Sequence, residues 1–491
     1  MGRQRSRRQP KAAKSANVAP VMTTSVATPA SKIPEWDAWT PQQIQSIDAV
    51  IKQAQPIAVT QAFTRISSNF TKMRWLDPKH VVGRDPRSTN TKAPLSGADA
   101  NSIAEFTAAS VPLHMADAWT YFGRALSALA SGSIEIAQHL LYYSELRAMY
   151  ALLFRHGVVL LNGNLIVGAN GTIPVPFPKN ADGRQFGRNE HQAVWVLFRH
   201  WTKTREAAEF CGSIISLRGT ALADWISERP QVGSLSGIIA PLMEQWGIDV
   251  ARFSDDRELR NKLSYSPTGL SGAEAGMSPA RVAALFSQVW GLLEPEERNI
   301  FENLDGYIAR DAFDALKKQD PKERSYTPPS GYASMNEYWV TKVLGASAGG
   351  SVVEFLGKST TELAPAVLAN AGQALSHKTL PDQLTGMVGR ALILLRFATG
   401  ATQDLLQDAG CKSPSVEFWL DELLTHHGIR LPEGSPKEYL DLYPLVDDLL
   451  TELGELDLSE EPSDIAVITE IHAKEFQLLS GFERVPAWAV G

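Results

Sequence analysis

Two runs of helical periodicity, set nose to tail between residues 115 and 157, constrain this chain more than any other feature of its sequence. In the first, Trp119, Phe122, Ala125, Leu126 and Leu129 recur at spacings of three and four, which line one face of an α-helix, and Ser131-Gly132 stops it. In the second, Ser133 is placed as an N-cap and Glu135 suits the positive helix end. Ile136, Leu140, Tyr143, Met149, Tyr150 and Leu153 then continue the period to Gly157, a C-cap residue. Apolar residues 158–161 and 165–167 flank Asn162-Gly163, whose tolerance of positive φ favours a tight hairpin turn. Residues 115–177 therefore predict an αα-hairpin followed by a β-hairpin. A helix pair this apolar needs further helices packed on it.

The pattern supplies them. Residues 40–55, with Pro41 at the first helical position, read as a helix, and so does the run from Glu190 that sets His191, Trp195, Phe198 and Trp201 or Thr202 on one face. Helices are also expected over 220–227, 234–246, 255–264, 278–293 (Pro279 first) and 294–318. Residues 34–110 are otherwise mixed, with 85–98 a polar loop. After the Pro328-Pro329-Gly331 break, residues 380–406 hold the clearest period through Met387, Ala391, Leu394 or Leu395 and Ala398, and Ser413-Pro414 starts a helix ending at His426-His427-Gly428. The expected class is mainly α, a multi-helix bundle assembly with a small β-hairpin. Residues 1–32 form a tail, 33–325 a helical domain carrying both hairpins, and 326–491 a second helical domain with an acidic C-terminal part. No repeat of fixed period argues for a solenoid.

A net charge of −7 over 491 residues sets up no global field for nucleic acid, but the charge is unevenly placed. Arg3, Arg5, Arg7, Arg8, Lys11 and Lys14 open the chain with no acid among residues 1–32, followed by a tract of Ala, Thr, Ser, Pro and Val. That composition buries too little apolar surface to offset the entropy of ordering, so a disordered basic arm is expected, a candidate for phosphate contact. Residues 433–464 hold eleven acids against Lys437 and read as a solvated helical face. Two cysteines, Cys211 and Cys411, exclude a disulfide framework or a CxxC knuckle and fit a reducing compartment. With no run of 18 apolar residues and no apolar signal core, a cytoplasmic protein that does not span a membrane is expected. No histidine, acid or cysteine spacing matches a zinc or calcium site, so no metal or cofactor is expected.

Four constellations carry chemistry. Gly345-Ala346-Ser347-Ala348-Gly349 matches G-x-S-x-G, the turn that lifts a serine nucleophile from a strand-to-helix junction, with 339–344 as the strand, 351–356 as the helix and His377, His426 or His427 as the base. Gly357-Lys358-Ser359-Thr360 ends like a phosphate loop, but the required glycine at 352 is Val352. His139, Tyr142, Tyr143 and Arg147 interrupt the apolar second helix at spacings of three and four, and line either one ligand site or a hydrogen-bond network between helices.

The fourth is Arg260-Asn261-Lys262-Leu263-Ser264-Tyr265, on the helix that follows Asp255-Asp256. It resembles the R-x(4–6)-H signature, often opening Arg-Asn, of the HEPN superfamily of small helical domains common in prokaryotic defence and toxin systems. The resemblance implies a helical fold and metal-independent RNA cleavage by the arginine and histidine of paired domains. Arg260 and Asn261 match, whereas Tyr265 stands where the histidine belongs. A tyrosine with its ordinary pKa of about 10 is a poor general base at neutral pH, which favours a scaffold over a catalyst. Read without that family, Arg260 pairs with Asp255 or Asp256 and Tyr265 packs on a neighbouring helix. The function expected is a helical interaction or effector-type component of a prokaryotic, defence-related multiprotein system. It would have a protein partner or a second copy of itself, and nucleic acid on its basic arm. A serine hydrolase using Ser347 and a HEPN-like RNase are the alternatives.

Overall fold

Thr40 opens the first helix of the computed structural model with a reciprocal cap: its Oγ accepts from the Gln43 N–H while the Gln43 side chain accepts from the Thr40 N–H. The structure describes residues 40–80, 97–161, 165–169, 175–176, 190–228, 235–265, 277–295, 299–319, 327–345, 350–357, 364–373, 379–412, 415–420, 439–455, 470 and 473–490. In chain order the helices are α1 (Pro41–Gln53), α2 (Pro56–Ile66), α3 (Gly97–Ala130), α4 (Ile134–Arg155), α5 (Glu190–Trp201) and α6 (Arg205–Ile214). There follow α7 (Leu222–Ser227), α8 (Ile239–Gln245), α9 (Val250–Tyr265), α10 (Pro279–Leu292), α11 (Glu302–Gln319) and α12 (Met335–Leu344). The last six are α13 (Gly350–Gly357), α14 (Ala366–Ala371), α15 (Leu380–Asp408), α16 (Tyr439–Glu455), α17 (Ala473–Leu479) and α18 (Val485–Val490). The fold is mainly α, as the periodicity predicts.

Strand content is slight among the described residues. β1 (Val158–Leu161) pairs antiparallel with β2 (Leu165–Gly168), which pairs with the two-residue β3 (Val175–Pro176). The expected hairpin therefore forms, with its Asn162-Gly163 turn outside the described residues. A second ladder joins β4 (Ser216–Leu217) to β5 (Thr220–Ala221) across Arg218 and Gly219, both at positive φ (54° and 71°), as a two-residue turn between twisted strands requires. The helix expected over 220–227 thus begins at Leu222.

Three other boundaries move for physical reasons. α3 starts at Gly97 and not near 115, because Ile103, Ala104, Ala108 and Val111 extend the buried face upstream and the helix runs through Pro112. The helix expected over 294–318 starts at Glu302, after Pro295. Residues 339–344, expected as a strand, are the second half of α12, whose N-cap Ser334 accepts from the Glu337 N–H.

α15 occupies the centre. Every residue from Leu384 to Thr402 is buried, and α4 and α14 lie alongside it. Gly386 and Gly389 make the α14 contact: a Cβ on Gly386 would stand 2.7 Å from the Asn370 carbonyl, and one on Gly389 would collide with the Val367 carbonyl. By length and composition α15 passes the test for a membrane span, but its whole apolar window is buried inside the fold, so no span is suggested. One contiguous core runs from Ile47 in α1 to Val485 in α18, crossing residue 325 through α15.

Candidate functional site

α4 is apolar nearly all round, which is why its polar side chains matter. Its buried face carries Gln138 and Glu145, while His139, Tyr143 and Arg147 emerge partly exposed. α9 packs against both α4 and α5, and this crossing brings together residues far apart in the sequence.

Arg260 of α9 lies with its guanidinium carbon 4.8 Å from the centre of the Tyr142 ring, a cation–π distance. Its Nη2 donates to Asn261 Oδ1 at 2.6 Å. The Tyr142 ring stacks on His191 of α5 (5.7 Å, 19°), and the Tyr142 hydroxyl and His191 Nδ1 are 2.8 Å apart. Burial pushes the Tyr142 pKa up, against the opposing pull of Arg260 and Arg257, so this hydroxyl keeps its proton. His191 is neutral at pH 7, because burial first, and then Arg260, Arg257 and Arg147, hold its pKa down at about 4. His139 is lowered likewise by burial and by Arg260. Its ring lies 5.0 Å from Tyr143, which in turn meets His191 edge-on at 5.8 Å and Tyr121 at 5.6 Å.

Arg147 closes the site on the α3 side. Its Nη1 is 3.0 Å from His114 Nδ1, and its Nε is 3.8 Å from Asp117. His114 is neutral, its pKa brought to about 3 by burial and by Arg147, and it stacks on Tyr150 at 5.1 Å. Among the described residues, Asp117 is the carboxylate within ion-pair distance of Arg147, and no ion pair to Arg257 or Arg260 is formed. Nε of Arg257 is buried with no hydrogen-bond partner among those residues. The arrangement can stack flat π systems and neutralise anions. It offers neutral imidazoles at pH 7.

Two constellations read separately from the sequence, His139/Tyr143/Arg147 and Arg260/Asn261, thus form one site. The Arg260 pairing expected with Asp255 or Asp256 is not what forms: Asp256 points inward to Arg390, and Arg260 takes Tyr142 and Asn261. The Tyr265 side chain, Ser347, His377, His426, His427 and the arm with Arg3, Arg5, Arg7 and Arg8 lie outside the described residues. The described elements on either side of Ser347 are both helices: α12 ends at Leu344 with Gly345 (φ 85°) as its C-cap, and α13 begins at Gly350. A strand to carry a nucleophile elbow is therefore missing before it. His191, His114, Tyr121 and Arg257 are site residues that sequence reasoning misses; Arg257 stands one turn before Arg260 on α9, a spacing that could have signalled it.

No family model, no curated protein and no solved structure matches this chain.

Proposed function

We propose that this chain is a helical interaction protein that takes hold of single-stranded nucleic acid through the α4–α9 face, as an effector-type component of a larger prokaryotic assembly. The observation that carries the reading is the convergence of Arg147, Arg257 and Arg260 on the Tyr142–His191 pair, which the lowered His191 pKa registers. Single strands are gripped by such a combination: guanidiniums meet phosphates while partly exposed rings such as Tyr143 and His139 stack on bases. In this reading the HEPN-like Arg260-Asn261 pair serves recognition, and the basic arm adds phosphate contacts of its own.

Fluorescence anisotropy with short labelled RNA and DNA single strands tests it. Binding should weaken as salt rises, and the Arg257→Ala/Arg260→Ala double variant should lower the slope of log K against log salt by about 0.7 for each phosphate it no longer neutralises. Deleting residues 1–16 should lower it separately. No retention of either strand at low salt overturns the proposal. RNA cleavage in the presence of a chelator that disappears in Arg260→Ala would replace recognition by an RNase.

A further inference from the structure

A second region of the molecule is built for a ligand and shares no residue with the α4–α9 face. Between α10, α11, α13 and the β4–β5 turn lies a cavity of about 500 Å³, within the range of small-molecule sites. Three helices present one face each to it: Gln288, Gly291 and Leu292 from α10, Glu302, Asn303, Gly306 and Tyr307 from α11, and Ser351, Val352 and Phe355 from α13. Leu217 and Arg218 of the turn complete the lining with Pro365.

The polar groups of this lining are held in place by bonds made behind it. Glu302 accepts from the Arg218 N–H and from Asn299 Nδ2 (3.0 Å), and burial pushes its pKa up. Gln288 Oε1 accepts from the Val367 N–H at 2.9 Å, which fixes the amide and leaves its NH₂ group without a bond to the described residues. Asn303 Nδ2 donates to the Gly291 carbonyl at 2.9 Å, leaving its Oδ1 as an acceptor. A fixed amide donor, a fixed amide acceptor and a carboxyl group therefore face one space.

The aromatic wall is unusual for its backing. Tyr307 and Phe355 meet edge-on at 5.7 Å, and the guanidinium of Arg310 sits 4.9 Å from one ring and 5.1 Å from the other. Arg310 is 1% exposed, and its Nε and Nη1 have no hydrogen-bond partner among the described residues. A buried cation resting on two rings draws electron density from them and makes their faces better platforms for an electron-rich π system. The charges nearest the cavity oppose each other: Glu302 disfavours anionic ligands, and Arg218 with Arg310 disfavours cationic ones.

We infer that this cavity binds a neutral, planar nitrogen heterocycle of nucleoside size, stacked on Tyr307 and Phe355, with its donor and acceptor edge read by Gln288, Asn303 and Glu302. The inference stands apart from the nucleic-acid reading, since the ligand carries no phosphate and the residues differ. Gly291 provides the test. A Cβ there meets nothing within 4 Å, and leucine is a better helix former than glycine, so Gly291→Leu fills the cavity without disturbing α10.

Calorimetric titration of the full chain with adenosine, guanosine, cytidine and uridine should show saturable, salt-insensitive binding of at least one, with a Kd below about 1 mM. Gly291→Leu should melt no lower than wild type and weaken that binding at least about ten-fold, and Phe355→Leu should weaken it while Arg260→Ala leaves it unchanged. If none of the four binds, or if Gly291→Leu binds as wild type does, the assignment is wrong. Loss in Arg260→Ala with retention in Gly291→Leu would also overturn it, by placing the nucleoside on the α4–α9 face.

Discussion

α4 and α9 build two charged clusters of opposite balance. Inward, Glu145 of α4 and Asp256 of α9 converge on one guanidinium, Arg390 of α15, with Nε–Oε1 at 3.1 Å on the Glu145 side and all three side chains at most 1% exposed. Outward, Arg147, Arg257 and Arg260 gather around Tyr142 and His191 with Asp117 as the nearby acid. The buried cluster holds an excess of carboxylate and the cluster around Tyr142 and His191 an excess of cation. Burial makes charge expensive unless it is paired, so the inner set is fixed by folding. Nothing in folding requires the outer set, which leaves it open to a ligand.

The largest expected effect comes from breaking the inner set. Arg390→Met leaves two carboxyl groups buried without their cation and should cost about 3–5 kcal/mol in urea unfolding. If the cost is under about 1 kcal/mol, the contrast between the two sides is false. A smaller effect sharpens it. Burial and the neighbouring Asp256 push Glu145 up to about 8 despite Arg390, so the folded state holds a proton that the unfolded chain has released. Stability from that proton is present below the ordinary carboxylate range near 4.5 and is lost as pH rises through about 8. Glu145→Gln cannot lose it. Urea midpoints for wild type and variant should therefore converge at acid pH and separate in the variant's favour at alkaline pH, and parallel curves would refute the shared proton. Smaller still, Arg257→Ala and Arg260→Ala remove partly exposed cations and should each change stability by no more than about 1 kcal/mol while weakening nucleic-acid binding.

How much of this was legible in the sequence differs between the two sides. The α3–α4 hairpin, the β1–β2 pair and α15 follow from hydrophobic period and turn residues, which are local signals. His139, Tyr143 and Arg147 were visible as polar breaks in an apolar helix, and Arg260 through a short motif. That these belong to one site depends on how α9 crosses α4, and no local pattern encodes a crossing. The inner triad was hidden for the same reason: Arg390 reads as one charge in an apolar helix, and its acids lie 245 and 134 residues away. The start of α3 escapes that pattern because residues 34–110 read as mixed, yet Ile103, Ala104, Ala108 and Val111 carry its buried face upstream and the helix runs through Pro112.

The finest test of the outer set is the titration of His191. Its folded pKa of about 4 lies below the ordinary 6.5, so between these values the unfolded chain binds the proton and the folded chain does not. The stability tied to the neutral ring is thus complete above 6.5 and is lost as pH falls toward 4. Protonation places an N–H on both ring nitrogens, including the Nδ1 that faces the Tyr142 hydroxyl, which couples the titration to the α4–α5 contact. A His191→Gln variant keeps an acceptor but does not titrate, so its melting temperature should fall less steeply than wild type across that range. Arg260→Ala supplies the decisive comparison. Removing one of the cations that hold the ring neutral should move the His191 midpoint, read from its imidazole proton resonance, upward toward 6.5. An unmoved midpoint would mean that Arg260 adds nothing to the field around His191, and the arginine cluster that a phosphate is expected to answer would lose its nearest member.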